Sequence, residues 1–313
     1  MRDEVMHKPY RVVIVTLDAH AAGPALRVSS RLAPDFPGLD VQVFAAAEWS
    51  ESPEALVHAQ EAVAKGDIVI ANLLFLEEHV KAILPAMQAR RDNCDAMLGV
   101  IADADVVKLT RMGDLDMSKP ASGAMALLKK LRGSSKASAD SGAKQMKTLR
   151  RFPKILKLIP GKAQDLRAWF LSMQYWLGGS DDNVEQMIRF LIGRYADRAD
   201  WHGAAADLPI EYPDVGLYHP DLPDHHIVTD LADLPNIMRP TATVGLLMLR
   251  SYILASDCAH YDAVIRAFEE KGIRVIPAFA GGLDGRPAIE SYFQGRVDAM
   301  VSLTGFSLIG GPA

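Results

Sequence analysis

The chain has 313 residues, 49% hydrophobic and 23% charged, with a formal net charge of −5. That is the balance of an ordinary globular protein, long enough for two domains and with no overall charge that calls for nucleic acid. No apolar run approaches the roughly 20 residues needed to span a bilayer. Cys94 and Cys258 lie far apart and in no metal-spaced pair, which points to a reducing compartment without a disulfide framework. The first nine residues, MRDEVMHKP, are polar and lack the apolar core of a signal peptide. The expected location is the cytoplasm.

Arg11–Leu17 (RVVIVTL), Val41–Ala45, Asp67–Asn72 (DIVIAN) and Ala96–Ala102 (AMLGVIA) are short apolar runs and read as buried parallel strands. Pro24–Ala33, Pro53–Ala64 and Glu77–Arg91 read as the helices between them. Ser52 is the expected N-cap of the second helix, with Pro53 at its first position and Lys65-Gly66 as its stop. This alternation predicts an α/β fold, with an open parallel sheet and flanking helices over residues 10–115.

From Asp116 amphipathic helices replace the strand-like runs, and 116–238 reads as a helical and irregular region. Leu166, Trp169, Phe170 and Met173 fall on one helical face, and Val184, Met187, Ile188, Leu191 and Tyr195 on another. Gly178-Gly179-Ser180-Asp181 separates these two helices. Gly133–Gly142 (GSSKASADSG) reads as a mobile loop. Lys129–Arg167 carries twelve Lys or Arg against two acids, Asp140 and Asp165, while the rest of the chain has 22 basic and 37 acidic residues. Such a block fits an anionic contact (a partner protein, an acidic ligand or a membrane surface) or simply a solvated helix face. Ala204–Pro240 reads as short loops and turns.

Alternation resumes after Pro240, so 239–313 reads as the start of a second α/β domain. Val244–Leu249, Ile273–Ala278 and Val297–Leu303 are its expected strands, and Asp257–Lys271 is a helix closed by Gly272. Three strands with an uncovered edge make an unfinished sheet, so the expectation is the front part of a longer protein.

Ligands of open parallel sheets sit beyond the carboxyl ends of the strands. That rule selects Asp18 and His20 after the first strand, Glu48 and Trp49 after the second, Glu77, Glu78 and His79 after the third, and Asp103 and Asp105 after the fourth. Carboxylates and imidazoles on one rim can bind a cation or move protons. The plainer alternative is that the acids cap the following helices and the histidines pack. Thr110 and Arg111 open a charged turn, and Lys119-Pro120 marks a break. His219, His225 and His226 match no structural zinc spacing. The chain has no phosphate-binding P-loop, no G-x-G-x-x-G after a strand and no nucleophile elbow. This chain alone is therefore not expected to hydrolyse ATP by the usual P-loop route.

The runs YRVVIVTLDAHAAGPA, ANLLFLEEHVKAILP, AQDLRAWFLSMQYWLGGSDDN and the stretch Val100–Gly133 resemble the N-terminal region of the large, porphyrin-binding subunit of magnesium chelatase. The bacteriochlorophyll type resembles it more closely than the cyanobacterial or plant type. VGLLMLRSYILASDCAHYDAVIRAFEEKGIRVIPAFAGGLDGRPAIE resembles the region shared with the large cobalt chelatase subunit. The resemblance covers the whole chain. It implies a subunit that binds protoporphyrin IX and inserts Mg²⁺, both as substrates. It also implies an ATPase motor subunit and an adaptor subunit as partners, and a Mg-protoporphyrin methyltransferase downstream. The residues usually held to chelate would lie beyond this chain, so the implied role here is gating or docking.

Propionates want Arg or Lys and a macrocycle wants apolar walls. The candidates for porphyrin or partner contact are thus Asp18, His20, Glu77, Glu78, His79, Asp103, Thr110, Arg111, Lys119, Lys129, Arg132 and Trp169. An autonomous tetrapyrrole-binding module, a cobalt chelatase relative and a peripheral membrane contact are the alternative readings.

Overall fold

The computed structural model describes residues 9–17, 19, 22–119, 153, 156–157, 159–223, 226–235, 237, 239–282, 284–305 and 308. Gly133–Gly142 and most of the basic block lie outside these residues. The chain forms two compact units that divide between Ile210 and Glu211.

In the first unit, β1 (Tyr10–Thr16), β2 (Leu39–Ala45), β3 (Ile68–Asn72) and β4 (Ala96–Val100) are the four expected strands. They pair in parallel in the order β2-β1-β3-β4. Their ends are in register. Thr16 stands opposite both Ala45 and Asn72, and Asn72 opposite Val100. The carboxyl ends therefore make one continuous rim.

Side chains alternate between the two faces, as a period of two requires. Val12, Ile14, Ile68 and Ile70 enter one core with Ala25, Val28 and Leu32 of α1 (Ala22–Leu32). Val13, Val15 and Val69 enter the other with Ala59 and Val63 of α2 (Pro53–Lys65) and Val80, Ile83 and Met87 of α3 (Glu77–Arg90). Each such aliphatic side chain contributes about 1.5–3 kcal/mol on burial. Ser52 accepts from Ala55 N at 3.4 Å and caps α2 ahead of Pro53.

The edge of this sheet was not legible in the sequence. After α4 (Ala104–Lys108) the chain returns as an antiparallel hairpin, β5 (Arg111–Met112) and β6 (Leu115–Asp116), beside β4. Gly113 takes φ +55° at its tip. Two-residue strands carry no periodicity to read.

The expected helices around 166 and 187 are α5 (Lys162–Gly178) and α6 (Asp181–Tyr195). Gly179 ends α5 with φ +52°, and Ser180 accepts from Asn183 N at 3.2 Å to start α6. They do not form a separate middle region. Leu166, Phe170 and Met173, with Val184, Met187, Ile188 and Leu191, share the core of Ile14, Ile70 and Leu98. An amphipathic helix must cover some apolar face, and these two cover the first sheet.

The second unit holds a five-stranded sheet in the order β11 (Ala299–Ser302), β9 (Ala242–Leu249), β10 (Ile273–Ala280), β7 (Val215–Tyr218), β8 (Ile227–Val228). β9, β10 and β11 are the expected parallel set. β7 and β8 are added antiparallel on the β10 side. The stretch expected to be loops thus supplies two strands, and the expected three-stranded sheet has five. Among the helices here are α7 (Arg250–Leu254) and α8 (Ala259–Glu269). Tyr261 and Ile265 of α8 pack with Leu246, Met248 and Phe279.

Candidate functional site

The carboxyl rim of the first sheet gathers one group of the sequence candidates. Glu77 and Glu78 open α3, exposed, and favour its positive N-terminus. Glu77 pairs with Lys81. His79 in the same turn is buried at 8% exposure, edge-on to Trp49 with centroids 5.7 Å apart. Asp103 caps α4 through its Oδ1, which accepts from Asp105 N at 2.8 Å, and its own N–H donates to Leu74 O at 2.8 Å. That bond ties the β3 loop to the β4 loop. Lys108 Nζ donates to Asp105 at 2.7 Å. Both rim acids after β4 therefore act in the helix-start role.

The rim also holds residues the strand-end rule passed over. Thr16 and Asn72 close β1 and β3 at 0% exposure. Thr16 Oγ1, Asn72 Nδ2 and Oδ1, Trp49 Nε1 and His79 Nδ1 are buried with no hydrogen-bond partner among the described residues. Leu73 and Ile101, directly after β3 and β4, take φ +55° and +48°. Left-handed backbone at bulky residues stores about 1–3 kcal/mol each and collects at functional edges. Phe75 and Leu76 between them are 53% and 48% exposed. The signal in sequence was present: runs such as VVIVT and IVIAN each close on their one polar residue.

A second group is bound to the backbone of residues 91–99 rather than standing free on the rim, Thr110 and Trp169 at Gly99 beside the rim and Arg111 toward the other end of β4. Thr110 is fully buried, its hydroxyl accepting from Gly99 N at 2.9 Å. Arg111 pairs in register with Met97, near the amino end of β4, and donates to Arg91 O at 3.1 Å and Cys94 O at 2.5 Å. Lys119 is exposed and pairs with Asp116 at 3.1 Å. Partial burial pushes the Asp116 carboxyl up, but hydrogen bonds from Ser118 and Lys119 and the charge of Arg91 outweigh it and hold the group below the usual carboxylate range. Trp169 donates to Gly99 O at 3.0 Å from α5. Asp18, His20, Lys129 and Arg132 lie outside the described residues.

In the second unit, Arg250 donates to Pro213 O at 2.8 Å and Tyr212 O at 3.1 Å, strapping α7 to the segment before β7. His219 is buried with its Nε2 2.9 Å from Glu269. Among the described residues no group of three or more His, Cys, Asp or Glu is placed to hold a metal ion. Both cysteines are buried. Burial pushes the Cys258 thiol up to about 11 and raises Cys94 as well, which makes neither a ready nucleophile.

Two family models divide the chain between them. Residues 11–170 match a domain of unknown function, DUF3479, and residues 173–313 match CobN/Magnesium Chelatase. The chain is 67% identical over 308 residues to the large (H-type) magnesium-chelatase subunit of Cereibacter sphaeroides and 64% identical over 309 residues to that of Rhodobacter capsulatus. These matches cover 97% and 98% of the chain. The chain belongs to the magnesium chelatase large-subunit family.

It spans about a quarter, 26%, of the length of those two relatives. The chloroplastic magnesium-chelatase subunit ChlH of Oryza sativa subsp. indica is 36% identical over 272 residues, 80% of this chain and 19% of its own. The catalytic subunit of cobaltochelatase from Mycobacterium tuberculosis matches with a TM-score of 0.44 and 15% identity, over 95% of this chain and 18% of its own. In this magnesium chelatase family chain, the DUF3479 match takes in the first sheet from Arg11 onward, with its rim. No helix among the described residues is long and apolar enough to cross a membrane.

Proposed function

We propose that this chain serves the ATP-driven insertion of Mg²⁺ into protoporphyrin IX in bacteriochlorophyll or chlorophyll synthesis, in the cytoplasm, and that it docks partners or gates the site rather than chelating. Its 67% identity to a large magnesium-chelatase subunit across nearly its whole length carries the reading. An ATPase motor subunit and an adaptor subunit are the proposed partners, with a Mg-protoporphyrin methyltransferase as a further one. Protoporphyrin IX and Mg²⁺ are substrates, ATP is used by the motor subunit, and the chain holds no cofactor of its own.

Insertion has to strip water from a reluctantly dehydrating, oxygen-seeking ion and take two pyrrole protons onto a base. Among the described rim carboxylates, Asp103 is engaged in a helix start and Glu77 and Asp105 in pairs with Lys81 and Lys108. Exposed Phe75 and Leu76 on a loop fixed through Leu74 and Asp103 support docking, because rigid apolar side chains bind at little entropic cost.

The test mixes the chain with motor and adaptor subunits, protoporphyrin IX, Mg²⁺ and ATP, and follows porphyrin fluorescence. No Mg-protoporphyrin is expected. Its formation by this chain would assign chelation here and overturn the docking role.

A further inference from the structure

Thr16 and Asn72 are register partners on adjacent parallel strands. The helix after β1 packs on one face of the sheet, and α2 and α3 pack on the other. The pair therefore straddles the point where strand order reverses, which is where open α/β sheets take ligands. Alternation sends both side chains to the α1 face, with Ile14 and Ile70. Their neighbours in the same row are Ala45 and Val100. Three polar atoms of this pair are fully buried with no partner among the described residues. Each unmade bond costs about 1–3 kcal/mol, and Val and Leu would fill similar space without that penalty.

We propose that Thr16 and Asn72 form the polar floor of a binding site for an uncharged planar heterocycle that carries a donor beside an acceptor on one edge, as an imide or lactam does. The Asn72 carboxamide offers a donor and an acceptor side by side, the match for such an edge. Neither residue is charged, so a charged group held there would be uncompensated. Outside, Glu48, Glu77, Glu78 and Asp105 are exposed; Lys81 and Lys108 offset two of them, and the acidic charge that is left disfavours phosphate-bearing ligands. Apolar surface for the ring is present at the same end of the sheet in Phe75 and Leu76. On the opposite face of the sheet Trp49 and His79 make a second pair, in which Trp49 Nε1 and His79 Nδ1 have no partner among the described residues. The site asks nothing of the chelatase reading.

Lumichrome, an uncharged imide-edged heterocycle, is the probe, and FMN is its charged comparator. Lumichrome fluorescence is titrated with the full 313-residue chain and with the Thr16→Val and Asn72→Leu variants, and all three proteins are melted. The expected result is saturable quenching at micromolar protein, at least tenfold weaker in each variant and weaker for FMN. Both variants should melt at or above the parent temperature, because they remove unmet polar groups. A parent chain that gives no saturable quenching overturns the proposal, as does binding that survives both substitutions. Variants that melt lower would also overturn it, since they would show the pair to be satisfied by buried water.

Discussion

Gly99→Ala is expected to lower the stability of the first unit by about 3 kcal/mol, at the upper end of what overpacking costs. A Cβ at Gly99 would sit 2.6 Å from Val106 O and 2.8 Å from Val107 Cα. Both are backbone atoms of α4, so no side chain can swing aside. The same glycine donates its N–H to Thr110 Oγ1 at 2.9 Å and accepts from Trp169 Nε1 at 3.0 Å. Moving α4 off β4 thus strains the return of the chain into the β5–β6 hairpin and the seat of α5. Urea unfolding followed by far-UV circular dichroism reads the loss. Gly282→Ala, with nothing within 4 Å of its added Cβ, is the silent control. An unchanged midpoint for Gly99→Ala would mean that α4 does not lie against β4.

Asp165→Ala is expected to lower stability by about 2–4 kcal/mol. The carboxylate is buried in α5, and Oδ1 accepts from Arg194 Nη2 at 2.8 Å and Tyr195 OH at 2.9 Å. Oδ2 accepts from Asp114 N at 2.9 Å, at the tip of the β5–β6 hairpin. One side chain therefore joins α5, α6 and the sheet edge. Removing one partner of a buried pair costs about 3–5 kcal/mol, and the partial exposure of Arg194 brings the figure down. Asp165→Asn, which keeps an acceptor and loses the charge, should fall between. Adding Arg194→Leu to Asp165→Ala should cost less than the two single losses summed, as a double-mutant cycle on coupled groups requires. Strict additivity would show that the contact carries no energy.

The four parallel strands were readable because each is a short, nearly unbroken apolar run that only a strand buried on both faces tolerates. The start of α2 was readable from Ser52-Pro53 for an equally local reason. What local reading missed was pairing. Arg111-Met112 and Leu115-Asp116 are too short to show alternation, and their strand character comes from the edge of β4. Val215–Tyr218 is fixed by β10, more than fifty residues on. Among site residues, Glu77, Glu78 and Asp103 fell where the strand-end rule put them. Thr110, Arg111 and Trp169 were singled out on other grounds, the charged turn and the need for an apolar wall, and not by that rule. A charged turn looks solvent-facing in sequence, yet these three spend their donors and acceptors on the backbone of residues 91–99. Thr16 and Asn72 were passed over because the rule looks past the strand end, and they are the strand end.

The proposed docking role is tested most directly by competition. A complete magnesium chelatase is assayed for Mg-protoporphyrin formation while this chain is added in rising excess over the large subunit. If the chain carries a docking surface, turnover falls in a saturable way and extra motor and adaptor subunits restore it. Turnover unchanged at large excess, with the chain folded by circular dichroism, would contradict the docking role.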